Sequence, residues 1–195
     1  MSDQPSPQSL RTEAIETLLI EKKLLTSEAI DTVLTTFSEQ VGPMNGAKLV
    51  ARAWVDQSFK ARLLEDATTI VQEYGFEGGQ VDKLIVKACS ESVHHVVVCT
   101  LCSCYPWAVL GLPPRWYKDP GYRSRIVREP RKVLTEMGLT LPETTSIKVW
   151  DSSAEIRYLV LPLRPAGTED LDETALAELI TRDAMIGVAA IEPPS

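Results

Sequence analysis

The chain has 195 residues, 44% of them hydrophobic, which is enough for one sizeable core with a helical extension. Its net charge of -7 and pI near 5.0 oppose binding to nucleic-acid phosphates, and the basic residues form no long run apart from the mixed stretch at 123–132. No apolar stretch approaches the ~20 residues needed to cross a bilayer. Met1-Ser2-Asp3-Gln4-Pro5 has neither the basic start nor the apolar core of a signal peptide, so the expected location is the cytoplasm.

Residues 1–9, rich in Ser, Pro and Gln, are expected to form a mobile tail. Leu10, Ala14, Ile15, Leu18 and Leu19 then recur at helical spacing, and a second amphipathic stretch starts at Thr26-Ser27-Glu28 and carries Ile30, Val33, Leu34 and Phe37. Gly42-Pro43 breaks the pattern. Asn45 can cap a short helix through Trp54, and Asp56 can cap a longer one that ends before Gly75. The expectation is a helical amino-terminal arm over residues 10–75. After Gly78-Gly79, the β-branched enrichment of residues 83–88 and 93–99 predicts strands. Pro106, Gly111, Pro113 and Pro114 oppose regular structure beyond them, and Glu129-Pro130 starts a helix that Gly138 stops. Residues 146–150 and 155–161 read as strands, and a last helix runs over residues 172–182 with a solvated face. This order predicts the α+β class, with an α/β metal-binding core over residues 76–195.

The densest chemistry is Cys99-Thr100-Leu101-Cys102-Ser103-Cys104. Four cysteines in the whole chain are too few and too clustered for a secreted disulfide scaffold, and in a reducing compartment such clusters bind metal or do redox chemistry. A zinc site normally uses four Cys or His ligands in two separated pairs. Only Cys89 could complete such a set, because His94 and His95 are neighbours in a predicted strand and point to opposite faces. Cys102-Ser103-Cys104 permits a different arrangement, in which two thiolates and the backbone nitrogens of Ser103 and Cys104 chelate one ion. Cys99 could supply a third, axial sulfur and leave the opposite axial position open for substrate or water. Amide nitrogens coordinate only after losing a proton, so this set calls for a strongly Lewis-acidic transition ion; trivalent iron or cobalt meets that demand. Two plainer readings stand beside it: partly buried reduced cysteines, or a redox pair of Cys99 and Cys102. The redox pair leaves Cys104 unexplained and lacks the helix start that usually lowers the first thiol's pKa.

These residues resemble a known family. Val98-Cys99-Thr100-Leu101-Cys102-Ser103-Cys104-Tyr105 looks like the metal-binding motif of nitrile hydratase alpha subunits. The likeness extends to Val41-Gly42-Pro43-Met44-Asn45-Gly46-Ala47, Ala53-Trp54-Val55, Leu110-Gly111-Leu112-Pro113-Pro114-Arg115-Trp116-Tyr117-Lys118, Tyr122-Arg123-Ser124-Arg125 and Arg128-Glu129-Pro130-Arg131. Leu161-Pro162-Leu163-Arg164-Pro165-Ala166-Gly167-Thr168-Glu169 and Met185-Ile186-Gly187 carry it on, so that it covers residues 10–187. The resemblance implies a four-layer α-β-β-α core and a low-spin, non-corrin Co(III) or non-haem Fe(III) centre that hydrates nitriles to amides. It also implies activity only with a beta subunit, in an αβ or α₂β₂ assembly, and leaves open an activator or metallochaperone. Cys99, Cys102 and Cys104 match the family's sulfur ligands, and Ser103 and Cys104 match its amide-nitrogen donors. By the same match Cys102 would be a sulfinic acid and Cys104 a sulfenic acid, whose oxygen would serve as nucleophile or as base toward water. Thr100 together with Tyr105 looks like the cobalt-type pattern. The partner is expected to bring arginines to the oxidised sulfurs, because such anionic oxygens need charge-assisted donors and no arginine stands beside the motif. The gamma subunit of thiocyanate hydrolase shares the ligand loop and is the nearest alternative. A non-catalytic metal-binding module, or a protein of metal storage or delivery, is the alternative from another class.

Gln80 matches a glutamine near the family's metal pocket and would orient substrate or water, although a glutamine after Gly78-Gly79 is equally a turn residue. Thr100 and Tyr105 carry hydroxyls close to the sulfurs in sequence and are candidates for hydrogen bonds to the ligands. Trp107, Trp116 and Tyr117 could wall an apolar nitrile pocket or anchor the core or a subunit interface. Glu155 and Arg157 alternate on one predicted strand and could brace the metal loop as a buried pair, or form a surface ion pair. One of His94 and His95 should point inward, as a structural histidine or a proton relay.

Overall fold

The computed structural model describes residues 7–76 and 83–193. Gln80 and the Gly78-Gly79 pair before it lie outside the described residues. The chain divides into two units, Met1–Gln40 and Val41–Ser195. The first holds helices α1 (Pro7–Glu21) and α2 (Ser27–Thr35). Proline suits a helix start, where its missing N–H costs no bond. Helix α1 accordingly takes in residues 7–9, which composition assigns to the tail. Thr26 caps α2 by accepting the Ala29 N–H at 3.1 Å.

In chain order the second unit contains α3 (Met44–Val55), α4 (Gln57–Glu65), α5 (Ala67–Glu73), β1 (Lys83–Ala88), β2 (Val93–Val98), α6 (Trp107–Leu110), α7 (Pro120–Ile126), α8 (Pro130–Glu136), β3 (Ser146–Asp151), β4 (Ile156–Leu161), α9 (Glu173–Leu179) and α10 (Arg182–Ile186). The strands form two parallel pairs, β1 with β4 and β2 with β3. Parallel neighbours cannot be joined by a hairpin, so long crossovers connect both pairs. On β2, Val96, Val97 and Val98 are all buried, which requires cover on both faces of the strand. Helices α4 and α5 lie on β1, β2 touches β4 between the sheets, and α8 lies on β3, giving the order helix, sheet, sheet, helix. The mixed α+β architecture expected from the element order is therefore present. No described helix is long and apolar enough to cross a membrane.

The structure also redraws several local expectations. Asp56 accepts the Phe59 N–H at 2.9 Å, the cap expected of it, but Asp66 accepts that of Thr69 at 3.1 Å and divides what apolar spacing reads as one helix. Asn45 is not a cap. It lies inside α3 and donates its side-chain N–H to the Ala108 carbonyl at 3.0 Å, tying α3 to α6. Helix α3 also packs on α9, and its Gly46 permits close approach to α6 and α10: a Cβ there would lie 2.8 Å from Met185 Sδ and 2.9 Å from the Val109 oxygen. Short helices interrupt the proline-rich stretch after the cysteines. Pro106, Pro114 and Pro120 stand at or just before helical starts, where a ring without an N–H breaks nothing. The last predicted helix is two, because Thr181 accepts the Ala184 N–H at 3.2 Å and begins α10 anew. Gly187 ends α10 at φ +90°, with its absent Cβ directed to within 2.0 Å of the His95 oxygen.

Candidate metal centre

The parallel register of β2 and β3 pairs Val98 with Asp151, so both strands end together and the chain leaves the sheet at Cys99. Cys99 is fully buried. The next residue is tied back to the neighbouring strand: Thr100 donates its N–H to Asp151 Oδ1 at 2.9 Å and its hydroxyl to Oδ2 at 2.5 Å. That two-point anchor fixes the start of the loop. The chain then turns inward, with the Cys102 N–H directed at Cys99 Sγ at 3.3 Å. Cys99 Sγ and Cys102 Sγ are 3.3 Å apart, Cys102 Sγ and Cys104 Sγ 3.0 Å, and all three sulfurs lie within 4.8 Å of one another. All are free thiols.

The acidities of Cys102 and Cys104 diverge. Cys102 is lowered to about 7, first by the thiol of Cys104 and then by that of Cys99, while the backbone N–H groups of Cys104 and Ser103 also point at its sulfur. Cys104 is pushed up to about 12 by burial and by donating to Cys102, with the positive charge of Arg157 acting in opposition. The donor set fits a soft, Lewis-acidic ion: three sulfurs converge, and two backbone amides are turned toward the central one. Exposure rises toward the middle of the loop, where Leu101 is 91% exposed and Cys102 is open to the surface.

The loop is backed by aromatics. Tyr117 donates its hydroxyl to the Cys104 carbonyl at 3.0 Å, and buried Tyr122 donates to the Val97 carbonyl at 2.8 Å. Tyr105 meets Tyr117 edge-on at 5.1 Å, and Trp116 meets Tyr122 edge-on at 4.9 Å. Burial holds the hydroxyls of Tyr105, Tyr117 and Tyr122 well above their ordinary pKa, so they remain protonated. Trp107 opens α6 and packs partly buried against the core. Trp116 and Tyr117 thus brace the loop from behind.

Other expectations shift once the side chains are placed. Glu155 is exposed and forms no ion pair with Arg157 among the described residues. The strand starts only at Ile156, and Ser153 Oγ receives the N–H groups of Glu155 and Ile156 in the turn before it, so strand alternation does not reach Glu155. Arg157, 3% exposed, instead donates Nη1 to the Ser153 carbonyl and keeps Nε without a partner. Nor is the motif without arginines. Arg123 donates Nη1 to the Cys102 carbonyl at 2.5 Å, and the charge of Arg157 reaches Cys104. Sequence distance hid Arg123, which comes from α7, whereas Arg157 on β4 is the expected brace without Glu155 as its partner.

Cys89 stands outside the sulfur cluster, so the four-cysteine zinc set is not formed. His94 and His95 do diverge as strand neighbours must: His94 Nε2 lies 2.7 Å from the Gly187 oxygen, while His95 Nδ1 accepts the Trp150 indole N–H at 2.9 Å. Among the described residues, neither imidazole joins the Cys99, Cys102 and Cys104 sulfurs. Asp151, Tyr122 and Arg123 are the supporting residues that sequence reasoning missed. Only the strand register, which pairing partners decide, would have pointed to Asp151.

A sequence profile described as nitrile hydratase, alpha chain, matches residues 6–189. The low-molecular-weight cobalt-containing nitrile hydratase subunit alpha of Rhodococcus rhodochrous is 54% identical over 185 residues, which cover 95% of this chain and 89% of that protein. The thiocyanate hydrolase subunit gamma of Thiobacillus thioparus is 44% identical over 191 residues, covering 92% and 78%. Among solved structures, a double mutant of the Fe-type nitrile hydratase from Comamonas testosteroni Ni1 superposes with a TM-score of 0.87 at 43% identity, covering 96% of this chain and 91% of that one.

Proposed function

Because the chain belongs to the nitrile hydratase alpha-chain family, we propose that it is the metal-carrying subunit of an enzyme that hydrates nitriles to amides, acting with a beta subunit. The observation that carries this reading is the convergence of the Cys99, Cys102 and Cys104 sulfurs where β2 and β3 end together. Cys99, Cys102 and Cys104 would hold the ion through sulfur, and Ser103 and Cys104 through their backbone nitrogens. When bound, such an ion supplies Lewis acidity toward a nitrile or water at neutral pH. Cobalt is the ion we favour, on the cobalt-containing relative and on Thr100 followed by Tyr105, with iron as the competitor.

The chain's own residues have distinct tasks. Asp151 holds Thr100, and Tyr117 and Arg123 hold the carbonyls of Cys104 and Cys102, so the backbone around Ser103 is gripped from both sides. We assign sulfinic and sulfenic oxidation to Cys102 and Cys104. The unpartnered Nε of buried Arg157 is a charged donor on the Cys104 side, suited to an anionic oxygen there. That oxygen would take a proton from attacking water or attack the nitrile carbon itself, and Gln80 would orient the reactant. The beta subunit would cover the exposed Leu101 and Cys102 and add further cationic donors. A cytoplasmic location suits thiols that must remain reduced until loading.

Co-expression with the cognate beta chain tests the proposal. The complex should convert a simple nitrile to its amide and leave thiocyanate unchanged; turnover of thiocyanate with no amide from nitriles would instead assign the chain to the thiocyanate hydrolase reaction.

A further inference from the structure

Away from the sulfur loop, a cavity of about 210 Å³ lies between the end of β1, the start of β2 and the carboxyl-terminal segment. Leu139, Leu141, Leu163 and Ile191 give it apolar walls, and Cys89 and His94 place a thiol and an imidazole in its lining. Among the described residues, the one charged member of that lining, Arg164, is engaged by Thr168, whose hydroxyl accepts from Nε at 3.1 Å. The Gly187 oxygen, 2.7 Å from His94 Nε2, can only accept, so the ring proton resides on Nε2. The lone pair of Nδ1 therefore faces Cys89 Sγ, at 3.8 Å. The His95 N–H approaches the same sulfur at 3.4 Å and offers a donor for negative charge developing there. Burial raises the Cys89 thiol and lowers the His94 imidazolium, so both rest neutral, with the S–H group facing the Nδ1 lone pair.

We propose that Cys89 and His94 form a second reactive site, separate from the metal loop, that captures small apolar molecules carrying an activated carbon–carbon double bond, such as α,β-unsaturated ketones. The volume limits the ligand to a few heavy atoms and the walls favour an apolar one. Conjugate addition needs only a nucleophile and a base. The Cys89 proton passes to His94 Nδ1 as the sulfur bonds to the far carbon of the double bond. The π electrons move to the carbon beside the carbonyl, which then takes the proton back from Nδ1. One S–C and one C–H bond form, one S–H and one C=C π bond break, and His94 returns to its starting state without an oxidant or a leaving group.

The test treats the assembled complex with methyl vinyl ketone at neutral pH and follows adducts by peptide mass mapping. The expected result is a single adduct on Cys89 that is absent in Cys89→Ser and forms at least about tenfold more slowly in His94→Gln. The glutamine amide can keep the bond to the Gly187 oxygen while removing the base. Ile191→Trp, which fills the cavity and leaves both reacting groups in place, should slow the adduct as well, and serves if His94→Gln fails to fold. A Cys89 that stays unmodified in the complex, or one modified at the wild-type rate in either variant, overturns the proposal. Because the readout is an adduct on Cys89, the result stands apart from whether the complex hydrates nitriles.

Discussion

Cysteine stands near both ends of β2, and the two ends treat it differently. Before the strand, Cys89 meets one acceptor and one donor from the protein itself, the His94 imidazole and the His95 N–H. After the strand, Cys99, Cys102 and Cys104 face chiefly one another, with Cys102 taking hydrogen bonds from both other thiols. Donors and acceptors in balance satisfy a thiol. Three thiols in mutual contact cannot all be deprotonated without a cation among them, so crowding, rather than cysteine content, marks the metal centre.

The sharpest way to break this contrast is to remove one sulfur at each end. In the co-expressed complex, Cys99→Ala should bring bound metal to background and lower amide formation by more than about a hundredfold, whereas Cys89→Ala should retain the metal. Metal analysis showing equal losses would erase the distinction. A smaller effect is expected from Asp151→Asn, which weakens the anchor of Thr100 and leaves the sulfurs in place. Metal affinity or turnover should fall about 10- to 100-fold, the usual cost of losing a group that orients a ligand.

The other end of β2 should respond in stability instead. Gly187→Ala would drive a Cβ into the His95 backbone at a positive φ, costing about 2 kcal/mol or more, and thermal unfolding should begin about 5 °C lower. The smallest effect concerns pH. Burial lowers the pKa of His94 and of His95, and the charges of Lys148, His94 and Lys87 add to the shift at His95. In the unfolded chain both protonate near 6.5, so below that pH the unfolded state binds protons that the native state refuses. Stability present above that pH is then lost as the pH falls toward the folded-state values, by at most ~1.4 kcal/mol per pH unit for each ring. Denaturant titrations between pH 5 and 7 (about the range where an unperturbed histidine titrates) should show a shallower acid loss in His94→Gln than in the wild type.

Local chemistry was legible in the sequence wherever neighbouring residues decide it. The strand limits Lys83–Ala88 follow directly from β-branched runs, the helix start at Pro130 from its proline, and the turn at Gly138 from a glycine that adopts φ +97°. The sulfur cluster was legible for the same reason, because its three members fall within six residues. What could not be read depends on which strands pair and which helices approach. Asp151 meets Thr100 only through the β2–β3 register, Arg123 reaches the Cys102 carbonyl from α7, and Asn45 looks like a cap until α6 arrives beside it. Asp66 is the exception. Its cap is local, but an uninterrupted apolar spacing concealed the break.

X-ray absorption at the metal edge of the assembled complex tests the central claim most directly. The account predicts cobalt, or iron in its place, with sulfur and nitrogen neighbours drawn from Cys99, Cys102, Ser103 and Cys104. A tetrahedral zinc spectrum, or no stoichiometric metal in a complex that hydrates nitriles, would contradict it.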